Sequence, residues 1–289
     1  MKNRHFETEP LPLPGETAHI VVTGANGGIG YALCEALCRR GCRVIMACRS
    51  RERGEAAAEK LRRAQPEARL QLEEVDIASP ESIDAFVERL RQSGEKVTHL
   101  VNNAGTMAPH LTFTDGGIEA NLATNCYGTL RLSDRLLPLM ATGGAVVNTV
   151  SLMCRFGSFP PHAAQDGSRS YRGTYFRLQA YADSKLMLFV GTAQRIADYR
   201  RQGIALHAAD PGVVDTGILR MGRWFDPLTD RLFRPFVRTP QQGAQAALRA
   251  LCHPEESGLL FRAGSCSPFP ARIRRLAAEA PHEIGKSPA

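Results

Sequence analysis

Six short apolar runs, each followed by a helical stretch, constrain this chain more than any other feature. They are His19–Thr23, Arg43–Ala47, Leu70–Val75, Val97–Val101, Gly144–Val150 and Ile204–Ala209. Helical patterns follow at Ile29–Arg40, Arg51–Ala64, Pro80–Ser93, Ile118–Met140, Tyr181–Arg201 and Pro240–Cys252. Strands that are apolar throughout are buried on both faces. Strands that alternate with helices lie parallel, because each crossover helix returns the chain to the same end of the sheet. The sequence therefore predicts an α/β fold, a doubly wound parallel sheet with helices on both faces. One domain is expected over 18–289, since no composition break divides it. A hydrophobic content of 43% suffices for a large core.

Residues 1–17 are polar and proline-containing and read as a flexible N-terminal leader. Two stretches break the rhythm. About 155–178 is rich in Gly, Ser, Pro and Arg and reads as an insertion. About 212–238 carries Trp224, Phe225, Leu232, Phe233 and Phe236 and reads as a loop or lid.

The net charge of +7 comes from Arg and Lys spread over several helices. That distribution suits a solvated surface and an anionic small molecule, and it argues against nucleic acid. The eight cysteines form no Cys-x-x-Cys pair. Cys34, Cys38 and Cys42 have a metal-like spacing but no His among them, so free thiols in a reducing cytoplasm are expected. No apolar run reaches the ~20 residues of a membrane span, and no signal-peptide core opens the chain. A soluble, cytoplasmic protein is expected.

Thr23-Gly24-Ala25-Asn26-Gly27-Gly28-Ile29-Gly30 lies between the first strand and the first helix. Glycines there allow a sharp turn and close backbone approach to a pyrophosphate, which meets the free N–H groups and positive dipole of the helix. At the end of the second strand stand Arg49 and Ser50, with no carboxylate in the position that would bind a ribose 2′-hydroxyl. Arg49 either pairs with a 2′-phosphate, aided by Ser50, or lies on the surface. The first reading selects NADPH. Asp76, with Ile77 beside it, either bonds an adenine edge or caps the next helix.

Tyr181 and Lys185 are four residues apart and share a helix face. A nearby ammonium favours the phenolate, so such a pair can exchange a proton with a substrate oxygen.

In this order these motifs resemble the short-chain dehydrogenase/reductase family. Further matches are Asn102-Asn103-Ala104-Gly105, Asn125, Val147-Asn148-Thr149-Val150-Ser151 and Asp210-Pro211-Gly212-Val213-Val214-Asp215-Thr216, and the resemblance covers roughly 18–262. Met46–Arg49 and Ser184–Leu186 resemble the retinol dehydrogenase-like branch. The resemblance implies a single-domain Rossmann fold. It implies that Ser151 bonds the substrate oxygen, Tyr181 is the general acid or base, and Lys185 binds the nicotinamide ribose and lowers the Tyr181 pKa. Asn125 would hold a relay water, with Asn121 one turn away as its competitor. Asn103, Ala104 and Gly105 would line the adenine-ribose side. Pro211, Gly212, Val214 and Thr216 would contact the nicotinamide end.

Three departures stand out: 30 positions separate Ser151 from Tyr181, Val150 and Leu152 flank Ser151, and Asn26 stands where NADP-dependent relatives often carry a basic residue. The resemblance makes 212–238 a substrate lid. Its aromatics suit a bulky apolar or aromatic ketone or aldehyde, although helix packing explains them equally well. The expected activity is an NADPH-dependent, reversible carbonyl/alcohol oxidoreductase. The alternative is a non-redox cyclase, isomerase or dehydratase using Tyr181 as acid/base. A homodimer through the 118–140 and 181–201 helices is left open, with Arg131, Arg135 and Arg195 opposing it.

Overall fold

The sheet takes its register from residues that alternate between two cores. A computed structural model describes residues 4–5, 15–158, 175–214, 238–280 and 284. The central strands are β2 (His19–Thr23), β3 (Arg43–Cys48), β4 (Arg69–Glu74), β5 (Val97–Asn102), β6 (Met140–Thr149) and β7 (Ala205–Ala209). Successive strand side chains point to opposite faces. Ile20, Val22, Val44, Met46 and Val147 accordingly join one core, and Val21, Ile45, Leu100 and Val146 the other.

Helices α1 (Gly28–Cys38), α2 (Arg51–Ala64) and α7 (Pro240–Leu251) cover the first face. Helices α3 (Pro80–Gln92), α5 (Thr129–Leu136) and α6 (Arg177–Arg201) cover the second. Side-chain caps start three of these helices: Ser50 for α2, Ser79 ahead of Pro80 for α3, and a Thr239–Gln242 capping box for α7. Phe86, Ile83 and Leu61 are fully buried, and each such side chain contributes about 1.5–3 kcal/mol relative to exposure.

With β1 (Arg4–His5), β8 (Leu259–Arg262) and β9 (Ser265–Pro268), the strand order is β1-β9-β8-β7-β6-β5-β2-β3-β4. The chain winds outward from β2 to β4, crosses back to β5, and winds the other way. The switch point between β2 and β5 leaves a crevice at the carboxyl ends of the strands, where ligands of such sheets bind.

Four differences from the sequence reading have physical causes. Among the described residues the sheet has nine strands rather than six. β8 (Leu259–Arg262) and β9 (Ser265–Pro268) form an antiparallel hairpin too short to show a pattern. Arg4–His5 (β1) pairs with β9, so part of the expected leader is strand. Helix α8 (Ala271–Glu279) follows the hairpin. The expected 118–140 helix is shorter and interrupted. It runs through α4 (Ala120–Leu122), a π-helical turn (Ala123–Gly128) and α5, and Met140 already begins β6. Finally, α6 begins at Arg177, before Tyr181. Arg131 and Arg135 pair with Asp84, and Arg195 with Asp134, within the chain.

The π-turn packs directly on the backbone after β4. A Cβ on Gly128 would lie 1.6 Å from the Ile77 carbonyl oxygen, which cannot retreat as a side chain would. Gly128→Ala is expected to lose about 3 kcal/mol or more of stability, at the upper end of overpacking costs. Urea denaturation against wild type measures it.

Candidate active site

Strand ends supply most of the site, because β2 through β7 all end on the same edge. A cavity of about 570 Å³ opens there. Its floor is the turn after β2, where Gly24, Asn26, Gly27, Gly28 and Ile29 line the space. Thr23 and Gly30 act from beneath. The Thr23 hydroxyl accepts the N–H groups of Asn103 and Ala104 at 3.0 and 2.9 Å, tying β2 to the segment after β5. A Cβ on Gly30 would lie 2.2 Å from the Gly24 carbonyl oxygen, so only glycine closes this turn. Gly27 begins α1 without a side-chain cap, and a Cβ there would meet nothing within 4 Å. The free N–H groups of α1 therefore face open cavity, which fits a pyrophosphate.

Arg49, Ser50 and Arg53 line the cavity beyond β3, and Asp76 and Ile77 beyond β4. The Asp76 carboxylate accepts the Ala78 N–H at 2.9 Å, so it does cap the local turn while also lining the cavity. Arg53 was not anticipated, though it stands one helical turn after Arg49. Asn103, Ala104 and Gly105 also line the cavity. Asn102 lies in the core instead, where it donates to Ser133 and Asn148.

Ser151, Tyr181 and Lys185 converge at the far end of the cavity. Tyr181 hydrogen-bonds Ser151. The Ser151 Oγ also accepts the Met153 N–H at 3.2 Å. Lys185 Nζ donates to the Thr149 carbonyl at 2.8 Å and lies 5.9 Å from the Tyr181 ring centre. Asn125 sits behind them, fully buried in the π-turn. Its amide donates to Ser184 Oγ at 2.9 Å and to the Thr106 carbonyl at 2.8 Å, and its oxygen accepts the Thr106 N–H at 2.8 Å. Asn121 turns away toward Ala108, so Asn125 is the one beside the site.

The electrostatics differ from the sequence expectation. Burial raises the Tyr181 pKa above its ordinary 10.0, and the Ser151 hydrogen bond only partly opposes it. Burial also lowers Lys185 to about 8. In the protein without cofactor, desolvation outweighs the attraction expected between ammonium and phenolate.

Pro211, Gly212 and Val214 close the remaining side. Arg238, which the sequence reading passed over, donates to the Pro211 carbonyl at 3.1 Å and fixes this loop. Thr216 and the aromatics of 224–236 lie outside the described residues, as does most of the 155–178 insertion. Met107, Leu152, Met153, Leu178 and Val213 line the cavity near Ser151 and Tyr181 and make that end apolar.

A family model for short chain dehydrogenases matches residues 18–163. Human retinol dehydrogenase 12 is 34% identical over 240 residues, 82% of this chain and 73% of that protein. Mouse polyprenol dehydrogenase is 32% identical over 253 residues, 86% and 75% of the two chains. Among solved structures, an uncharacterised protein from Mycobacterium paratuberculosis superimposes with a TM-score of 0.72 at 26% identity, over 92% of each chain. An NADPH-bound short chain oxidoreductase from Pseudomonas aeruginosa shares the fold, with a TM-score of 0.67 at 22% identity, over 87% of this chain and 96% of that one. The chain belongs to the short-chain dehydrogenase/reductase family, in its retinol dehydrogenase-like branch. It is accordingly an oxidoreductase that interconverts an alcohol and a carbonyl of a small molecule with a nicotinamide dinucleotide. No helix among the described residues is long and apolar enough to cross a membrane.

An ammonium whose pKa falls from 10.5 to about 8 on folding binds fewer protons folded than unfolded between those values. Folding is thus penalised below pH 8 and gains as the pH rises toward 10. Without cofactor, Lys185→Met is expected to be the more stable protein at pH 7, with its advantage shrinking by about 2 kcal/mol at pH 10. Denaturant titrations of both proteins at the two pH values measure it.

Proposed function

We propose that this protein is an NADPH-dependent reductase of bulky apolar or aromatic aldehydes and ketones, reversible in principle. The observation that carries the cofactor choice is the charge beyond β3. Arg49 and Arg53 line the cavity there, and Asp76, its one described carboxylate, already holds the Ala78 N–H. Two guanidinium groups suit a 2′-phosphate better than a 2′-hydroxyl. The apolar substrate end, with Met107, Leu152, Met153, Leu178 and Val213, supports an apolar substrate.

The turn from Gly24 to Ile29 would hold the pyrophosphate, Arg49 and Ser50 the 2′-phosphate, and Asn103 to Gly105 the adenine-ribose side. Lys185 would hold the nicotinamide ribose, and Pro211, Gly212 and Val214 the nicotinamide end. When bound, NADPH supplies the hydride to the carbonyl carbon. Ser151 donates a hydrogen bond to the substrate oxygen and orients it toward Tyr181. Tyr181 gives its phenolic proton to that oxygen as negative charge develops there, so carbonyl plus hydride plus proton becomes alcohol. The raised Tyr181 pKa keeps this acid protonated at neutral pH. Asn125 fixes Thr106 and Ser184 around Lys185 and supports proton exchange with solvent.

Tyr181→Phe is expected to lose about a thousandfold in kcat, within the range for a general acid, while its Kd for NADPH stays unchanged. Wild-type rates in that variant would remove Tyr181 as the proton donor. Arg49→Glu is expected to raise the KM for NADPH by roughly tenfold to a hundredfold, the value of a charge-assisted hydrogen bond, with little change for NADH. Carbonyl turnover without net loss of NADPH absorbance would favour a non-redox reaction instead.

A further inference from the structure

The three residues Thr106–Ala108 follow the carboxyl end of β5, and side chains take up their backbone polar groups. Asn125 takes both the N–H and the carbonyl of Thr106, each at 2.8 Å. Arg177 Nε donates to the Met107 carbonyl at 3.1 Å. Asn121 Oδ1 accepts the Ala108 N–H at 3.0 Å, and the Tyr175 hydroxyl donates to the Ala108 carbonyl at 3.1 Å. Thr106 and Met107 line the cavity. Ala108 is buried and sets the backbone that carries Met107.

A second tier fixes these side chains. The Asn121 amide donates to Glu119 Oε1 at 2.6 Å and to the Tyr175 oxygen at 2.9 Å. Both NH₂ hydrogens are then engaged, so Oδ1 faces the Ala108 N–H; a flipped amide would set its oxygen against a carboxylate. Glu119 is completely buried and accepts the Leu122 N–H at 3.0 Å through its other oxygen. A buried carboxylate persists only where such donors meet it.

The network also reaches the start of α6. Tyr175 lies two residues before α6 and Arg177 is its first residue, one to two turns before Tyr181, and Leu178 beside them lines the same cavity as Met107. The hydroxyl of Tyr175 thus ties the chain entering α6 to Ala108 and Asn121. We propose that Glu119, Asn121 and Tyr175 are positioning residues that hold Thr106–Ala108 as the substrate-side wall and so set the enzyme's preference for bulky apolar carbonyl compounds. Asn125 serves the reacting groups, and Asn121, one turn away, serves specificity. The inference rests on the reductase reading above.

The test compares propanal with naphthaldehyde at saturating NADPH. Tyr175→Phe keeps its ring and loses one hydroxyl. It is expected to raise KM for naphthaldehyde about tenfold, the lower range of a pocket contact, with KM for propanal and both kcat values within about threefold. The Kd for NADPH stays unchanged. Glu119→Gln tests the network from its far end and is expected to shift the same ratio in the same direction. Tyr175→Phe combined with Asn121→Ala is expected to cost no more than the larger single effect, because both act through Ala108. A lowered melting temperature with the naphthaldehyde-to-propanal ratio unmoved in both single variants overturns the positioning role. So does an equal fall in kcat for both aldehydes. A wild type that reduces neither aldehyde overturns the reductase reading, and this inference with it.

Discussion

The buried ammonium of Lys185 is the interaction on which the site depends. Removing a charge from water is costly unless polar groups meet it. Here the Thr149 carbonyl does so at 2.8 Å. That bond joins α6 to the carboxyl end of β6. It places Tyr181, one turn before Lys185, beside Ser151, two residues after Thr149. The same burial acts on both partners, raising the phenol and lowering the ammonium to about 8. Neither shift requires a direct contact between the two. Both follow from packing α6 onto the sheet so that Leu186, Phe189 and Val190 are buried.

Where the strands end, side chains replace the sheet's hydrogen-bond ladder. Buried backbone N–H and carbonyl groups must be paired. Past β5, Thr23, Asn125 and Asn121 provide partners for Asn103, Ala104, Thr106 and Ala108. Past β7, the Asp210 carboxylate accepts the Gly212 N–H, and Arg238 donates to Pro211. Each substitution of a side chain for a strand lets the backbone leave the sheet plane while staying satisfied. The cavity is the space this opens. The π-helical turn belongs to the same device, since it holds Asn125 facing Thr106 and Ser184.

The order of strands and helices was legible because period and length are local properties. So were the glycine turn and the strand-end positions of Arg49, Ser50, Asp76 and Ser151, since these follow from where the strands stop. Three things were not. The β8–β9 hairpin has strands of four residues, too short for a pattern, and its pairing is set by β7. The break in the 118–140 helix leaves no mark in the sequence, because π-turns lack a distinctive composition. The direction of the Tyr181 shift was missed because helical spacing reports the neighbour and says nothing of burial. The network of Glu119, Asn121 and Tyr175 was missed for a related reason. It closes only when Tyr175 is brought to Asn121, 54 positions away.

The last third of the chain completes a site that the first two thirds outline. Ser151 heads a segment held from both sides. Arg272 of α8 donates to the Arg155 and Gly157 carbonyls at 2.8 Å each. From α6, Asp183 accepts the Ser158 N–H at 2.7 Å, and Gln179 donates to the Phe156 carbonyl. Gly157 lies so close to α6 that a Cβ would sit 2.7 Å from the Ala182 carbonyl oxygen. The path from Ser151 toward the insertion is therefore fixed against the helix that carries Tyr181. Residues 155–158, the first of the 155–178 stretch, are thus held by side chains that come after it in the chain, Gln179 and Asp183 of α6 and Arg272 of α8, so the exit from Ser151 is set by the same helix that carries Tyr181.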